Sequence, residues 1–272
     1  MSDKLKIGRW VAIAGLVVVV VTVAMMASAS SAKAEAPAAT AQVEGANWEH
    51  YGNTWRQDHF SPLKEINDQN IGRLGLAWSY DLPVGQSSGI SGPLSIDGVL
   101  YFSVDHSVIH AMDAATGKLL WKYDPKVFDV PGQKVRAGWG VRGIAYSEGK
   151  VFTGTKDGRL VALDAASGKP VWTVMTVEPT DRRYITGPPY IMKDKVIIGH
   201  GGTDYGPVRG YVTAYDVNTG KQAWRFYTVP GNPADGFENK AMEMAAKTWT
   251  GEWWKYGGGG SVWHTMAYDP AQ

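Results

Sequence analysis

The chain has 272 residues and no cysteine. That absence excludes a disulfide framework, a Cys-ligated zinc site, an iron–sulfur cluster, a thiol nucleophile and a c-type haem attached covalently within this sequence. An excess of one charge is missing too. Lys and Arg number 27 against 26 Asp and Glu, a formal net charge of +1, so nothing electrostatic points to a nucleic-acid partner. The six histidines, His50, His59, His106, His110, His200 and His264, show no H-x-x-x-H helix. Isolated in strand and turn contexts, they read as structural rather than as metal ligands. Gly199-His200-Gly201-Gly202 is no phosphate loop, because no Gly-Lys-Ser/Thr follows it, and Arg182-Arg183 reads as a solvated turn. What the sequence has in excess is glycine, at 33, and tryptophan, at 12.

Long apolar runs are confined to the beginning. Lys4, Lys6 and Arg9 precede an uncharged stretch from Trp10 to about Ser31, which ends in the small residues Ala32-Lys33-Ala34. That is the layout of a secretory signal with cleavage after Ala34, so 1–34 is expected to be a signal peptide and 35–47 a flexible leader. An uncleaved membrane anchor is the alternative, since the run approaches the ~20 residues a bilayer requires. Export then leaves a nearly neutral, Cys-free body, 35–272, to be explained.

That body repeats. Ala111-Met112-Asp113-Ala114-Ala115-Thr116-Gly117-Lys118-Leu119-Leu120-Trp121 aligns without gaps with 162–172 and with 214–224. The aspartates, Asp113, Asp164 and Asp216, and the tryptophans, Trp121, Trp172 and Trp224, recur at 51 and 52 residues. A fourth copy begins at Ala267-Tyr268-Asp269-Pro270, and an earlier degenerate unit ends at Leu76-Ala77-Trp78-Ser79-Tyr80. Within a unit, short β-branched and aromatic runs are separated by Glu148-Gly149, Asp157-Gly158 and Ser167-Gly168, the turn chemistry of antiparallel hairpins. Four strands per ~50 residues in tandem predict an all-β propeller of four-stranded antiparallel blades. Glycine would supply the positive φ of the turns, and each tryptophan would dock its ring between neighbouring sheets. From Trp48 to Gln272 there are about four and a half such units, so the expectation is the first part of a longer ring.

The period breaks between Trp224 and Ala267. Pro230-Gly231-Asn232-Pro233 is followed by a helical pattern over 238–247, then by Trp249, Trp253, Trp254, a run Gly257–Gly260, and Trp263. Two readings stand side by side: a docking corner for the inserted helix, or a flat aromatic surface approached by glycine backbone and suited to a planar ligand.

On these residues the sequence resembles the pyrroloquinoline quinone (PQQ)-dependent alcohol dehydrogenases of the methanol/ethanol type. The resemblance runs from Trp48, Tyr51-Gly52 and Phe60-Ser61-Pro62-Leu63 through Gly210–Asp216 and Ala241–Trp249 to Tyr268-Asp269-Pro270. It implies an eight-bladed propeller with PQQ near the axis, here as an N-terminal part. It also implies a periplasmic enzyme that oxidises primary alcohols to aldehydes by hydride transfer to the quinone with metal assistance, passing electrons to cytochrome c. Carried over position by position, Trp263 becomes the floor under the cofactor, Arg142 a fork for a carboxylate or quinone oxygen, and Thr186 a hydrogen-bonding hydroxyl. Gly201, Gly202 and Thr203 line the cofactor, and Asp204 ligates Ca²⁺ or a lanthanide. Departures accompany these matches. The family's adjacent cysteines are replaced by Arg136-Ala137-Gly138-Trp139-Gly140, where Trp139 would close an aromatic sandwich with Trp263. A family Glu falls on Ile90, Asp204 stands for a longer Glu, and the general-base Asp is expected beyond Gln272. The expected partners are a small alcohol and a cytochrome c, with a membrane only through an uncleaved leader and a homodimer left open. The rival reading is a non-catalytic propeller serving as a binding or assembly scaffold.

Overall fold

In the computed structural model the described residues are 45–82, 91–129, 140–178, 180, 182–203, 206–264, 266–269 and 271, all within one compact unit, Gln42–Gln272. The expected signal peptide, 1–34, lies outside them, as do Ile90, Trp139 and Asp204. Among the described residues no helix is long and apolar enough to cross a membrane.

Three four-stranded antiparallel sheets follow one another, each a simple meander. The first is β1 (Leu94–Ile96), β2 (Val99–Val104), β3 (Val108–Asp113) and β4 (Leu119–Tyr123). The second is β5 (Ala145–Ser147), β6 (Lys150–Gly154), β7 (Arg159–Asp164) and β8 (Pro170–Met175), and the third β9 (Tyr190–Met192), β10 (Lys195–Ile198), β11 (Tyr211–Asp216) and β12 (Gln222–Tyr227). The first two hairpins turn on Asp97-Gly98 and Glu148-Gly149, with φ of 49° and 80°, and 49° and 72°. Two successive positive φ values give the turn whose twist matches that of the flanking strands.

Third strands are buried on both faces, and their side chains alternate between neighbours. Val161 and Leu163 of β7 pack with Ile109 and Ala111 of the first sheet, whereas Leu160 and Ala162 pack with Val196, Ile198 and Tyr215 of the third. This period of two is the geometry of a strand with a sheet on either side. Outer strands β4, β8 and β12 are only partly covered.

The repeated Asp-x-x-Thr/Ser-Gly segment closes each turn between third and fourth strands. In the first sheet the Thr116 hydroxyl and backbone N–H both donate to the Asp113 carboxylate at 2.7 Å. The hydroxyl, then the amide, holds that carboxyl below the usual carboxylate range, and Ser167 and Thr219 do the same for Asp164 and Asp216. The turn glycines Gly117, Gly168 and Gly220 take φ of 71°, 70° and 68°. A register shift between Ala111 and Met112, Ala162 and Leu163, and Ala214 and Tyr215 brings each buried alanine opposite the blade's tryptophan.

These tryptophans join the sheets. Trp78 lies over Gly117 of the first sheet, Trp121 over Gly168 of the second and Trp172 over Gly220 of the third. Their indole N–H groups donate to the carbonyls of Ala114, Ala165 and Val217 at 3.0, 2.9 and 3.0 Å. Among the described residues no turn glycine lies under Trp224, which is 44% exposed. It lines a cavity of about 510 Å³ whose wall includes Ala267, Tyr268 and Asp269, the start of the fourth copy.

Residues 48–82 differ from the expected unit. Trp48 makes a single antiparallel bridge to Ser95, and the rest forms no strand and only one 3₁₀ turn, Ile71–Arg73. Trp78 is anchored, but Leu74 and Leu76 are exposed, so the extended chain has no neighbouring ladder among the described residues.

Gly149 and Gly168 separate backbone strain from ring contact, since both have positive φ and a Cβ on Gly149 meets nothing within 4 Å whereas one on Gly168 would lie 2.5 Å from the Trp121 ring. Gly149→Ala is expected to cost roughly 1–2 kcal/mol, the left-handed penalty. Gly168→Ala should cost about 1–3 kcal/mol more from overpacking. Urea unfolding measures both, and equal losses would show that the indole seat contributes nothing.

Candidate functional site

Loops that leave the second strands and loops that lead into the first strands lie at the same end of the meanders, and the sequence-predicted site residues fall on them. Arg142 precedes β5, Thr186 precedes β9, and Gly201–Thr203 follows β10. The inserted segment supplies the remainder. Its helix α1 (Lys240–Ala246) is capped by the Asn239 side chain, which accepts from the Met242 N–H at 3.0 Å.

The tryptophans of this segment divide into two groups. Trp249, Trp253 and Trp254 pack on one another, and the Trp253 indole donates to the Pro230 carbonyl at 2.9 Å, which is a docking corner. The base of the insertion is clamped by Arg209, which forks onto Glu238 at 2.6 and 3.0 Å while lying 3.9 Å from the Tyr227 ring centroid. Trp263 stands apart from that corner.

Glycine explains how Trp263 is placed. Gly257–Gly260 all have φ between 75° and 80°, and Gly257 and Gly258 pack directly on Val208 and Val229. The chain then crosses the end of the third sheet over three further glycines. A Cβ on Gly210 would lie 2.0 Å from the Gly260 carbonyl oxygen, one on Gly199 2.0 Å from that of Val262, and one on Gly187 2.8 Å from that of Trp263. The trough admits backbone because it has no side chains.

Arg142, Thr186 and Trp263 meet there. The Arg142 backbone N–H donates to the Thr186 carbonyl at 2.9 Å. Its guanidinium donates to the Trp263 carbonyl and lies 4.9 Å from the Trp263 ring centroid. Trp263 remains 42% exposed, so part of its indole surface is free to take a ligand, while Thr186 is 3% exposed and its hydroxyl finds no hydrogen-bond partner among the described residues. A buried, unpaired hydroxyl costs free energy until something supplies a partner. Thr203 joins the cluster through a hydroxyl–hydroxyl hydrogen bond to Ser261.

The loop Gly199–Thr203 is held by two residues that sequence reasoning undervalued. His200 is 2% exposed; its Nε2 accepts from the Tyr211 N–H at 3.3 Å, so Nδ1 carries the proton that faces the Gly201 carbonyl, also at 3.3 Å. Burial first, and then the nearby Arg183 guanidinium, push its pKa down to about 3. Arg183 is not the solvated turn residue expected: it is partly buried, lies 4.7 Å from the Tyr211 ring centroid and donates to the Arg209 carbonyl. Packing of 182–184 beside β11 made the difference, because Tyr184 pairs with Gly201 and draws its neighbour inward. A ring set among three glycines, Gly199-His200-Gly201-Gly202, was the available signal. His106 and His110 are buried in the first sheet, and no group of three His, Cys, Asp or Glu suited to a metal occurs among the described residues.

The sequence model of the PQQ glucose/ethanol/alcohol dehydrogenase β-propeller domain matches residues 48–272. Quinohemoprotein alcohol dehydrogenase ADH IIB of Pseudomonas putida is 50% identical over 234 residues, covering 85% of this chain and 33% of that protein. The solved structure of quinohemoprotein alcohol dehydrogenase ADHIIG from Pseudomonas putida HK5 superposes with a TM-score of 0.73 at 46% identity, over 83% of this chain and 33% of that one. A europium-containing methanol dehydrogenase gives a TM-score of 0.64 at 33% identity, over 83% of this chain and 41% of that one. The chain thus spans about a third of the length of the curated relatives it matches.

Two measurements test the site's construction. Gly199→Ala should lose about 1–3 kcal/mol by overpacking, while Gly75→Ala, whose added Cβ meets nothing within 4 Å, should be near neutral by thermal unfolding. His200 titrates near 6.5 when unfolded and about 3 when folded, so its stabilisation is complete above pH 6.5 and is lost as pH falls toward 3. Between pH 6 and 4 that loss approaches about 1.4 kcal/mol per pH unit, and His200→Phe should flatten the stability–pH slope by that amount.

Proposed function

We propose that this chain, which belongs to the PQQ glucose/ethanol/alcohol dehydrogenase β-propeller family, forms the first part of a periplasmic quinoprotein that oxidises primary alcohols to aldehydes. The observation that carries the reading is the Thr186 hydroxyl, buried without a partner next to Arg142 and Gly187, where the Trp263 backbone crosses. Those residues fit the cofactor. An indole face suits a planar tricycle, a guanidinium fork suits a carboxylate or quinone oxygen, and a hydroxyl suits a further polar edge atom. When bound, PQQ supplies a two-electron acceptor for the hydride of the alcohol carbon.

The chain's own residues bind and orient. Trp263 is the floor, Arg142 and Thr186 the polar edge, and Gly201–Thr203 the adjoining backbone wall. The Trp139 cover and the missing Cys pair lie outside the described residues. Asp204, also outside them, is proposed as one ligand of a Ca²⁺ or lanthanide. Such a cation takes about six to eight oxygens, so one carboxylate does not hold it alone. A europium-containing relative supports a hard cation in this family. We assign electron transfer to a cytochrome c, as for a 1-butanol dehydrogenase (cytochrome c) of Thauera butanivorans that is 44% identical over 214 residues.

Equilibrium binding tests the reading. The purified chain should quench its tryptophan fluorescence on titration with PQQ, and Trp263→Ala and Thr186→Val should each weaken binding about tenfold, or ~1.4 kcal/mol. Dye-linked alcohol oxidation is expected only from a protein as long as the relatives. A chain that binds no PQQ would instead favour the scaffold reading.

A further inference from the structure

His200 occupies a position that the strand pattern alone leaves incomplete. The β10–β11 register pairs Lys195 with Asp216 and ends with Ile198 opposite Thr213, so its continuation puts His200 opposite Tyr211. There the ladder stops being a backbone ladder. The Tyr211 N–H donates to the imidazole Nε2 at 3.3 Å, and the same ring presents Nδ1–H to the Gly201 carbonyl. That carbonyl also accepts from the Tyr184 N–H at 3.4 Å, and the Gly201 N–H donates back to the Tyr184 carbonyl at 2.9 Å. The ring is fixed edge-on against Tyr211, with centroids 4.3 Å apart and an interplanar angle of 69°. Next in the chain, Gly202 has φ of 99° and packs so closely on the Arg182 carbonyl that a Cβ would lie 2.5 Å from it. Thr203 then bonds Ser261, two residues before Trp263.

We infer that His200 is a positioning residue for the cofactor wall: its ring links the first amide of β11 to the Gly201 carbonyl and thereby sets the backbone of Gly201–Thr203. Within 199–202 it is the one residue that is not glycine. Glycine permits the close approach of neighbouring backbone, but it also leaves the loop with the largest conformational freedom to lose. One buried ring bonded at both nitrogens acts with the two Tyr184–Gly201 backbone bonds to remove that freedom. The inference deepens the PQQ reading of this wall and rests on it for the ligand's identity.

The test compares the full chain with His200→Phe, which keeps a ring of similar size and removes both bonds, and His200→Gln, whose amide can still accept and donate. Amide hydrogen exchange in the cofactor-free proteins is the first readout, and PQQ affinity by fluorescence quenching the second. In His200→Phe the amides of 201–203 and Tyr211 should exchange at least tenfold faster while those of β6 and β7 stay unchanged, and PQQ affinity should fall at least tenfold. His200→Gln should recover most of both. Unchanged exchange in His200→Phe would overturn the inference, and faster exchange with unaltered PQQ affinity would reduce His200 to a purely structural residue. Should His200→Phe lose its far-UV circular dichroism, imidazole ¹⁵N shifts of the unmodified chain decide: the Nδ1–H tautomer is required, and an Nε2–H tautomer overturns it. A chain whose unmodified form binds no PQQ contradicts the proposed function, whereas the exchange comparison still decides the role of His200.

Discussion

A flat indole needs a landing surface without a side chain, and the sheets of this protein meet wherever a turn glycine in the left-handed region provides one. Trp78, Trp121 and Trp172 each lie on the following blade and donate to its backbone. Other features follow from that contact. The alanine paired with Trp121, Trp172 and Trp224 is small in a strand covered on both faces, and the register shift at that alanine recurs in all three sheets. The Asp and Thr/Ser of the turn brace the glycine conformation that receives the ring. With sheets held at fixed spacing, the loops at one end converge, and the site is formed from those loops.

Much of this was legible because it is local. Asp-x-x-Thr/Ser-Gly fixes its turn through hydrogen bonds spanning three residues, and the tryptophan that follows marks the end of the blade, so a self-comparison of the sequence finds both. Strand order followed from the short connections of the first two sheets, whereas in the third twelve residues separate β10 from β11. The stretch 48–82 was less legible: its apolar residues resemble strand residues, but a strand exists only beside a partner, and the described chain offers Leu74 and Leu76 none. The same distinction separates the site residues. Arg142, Thr186 and Trp263, named from resemblance, do converge. Arg183 and His200 were passed over because their settings depend on how 182–184 packs beside β11, a contact that no local pattern encodes.

Tryptophan therefore serves three purposes here that composition alone cannot distinguish. Trp78, Trp121 and Trp172 are mortar between sheets, Trp249, Trp253 and Trp254 hold the insertion in its corner, and Trp263 is the one placed by backbone contacts with its ring partly uncovered. Glycine divides in parallel. Some residues supply positive φ for turns, whereas Gly187, Gly199 and Gly210 supply absence, a channel along which another segment can run.

That channel has a consequence for how such a protein can change over generations. The anchorage of position 263 is owed to main-chain atoms crossing bare glycines, not to the indole itself, so the residue there can be exchanged without dismantling its support. A lineage can try one aromatic surface after another on the same mount, and the scaffold is robust in proportion to how little of it is side chain. The glycines beneath carry the opposite burden: they have almost no acceptable substitute, and the freedom of the visible residue is bought with their constancy.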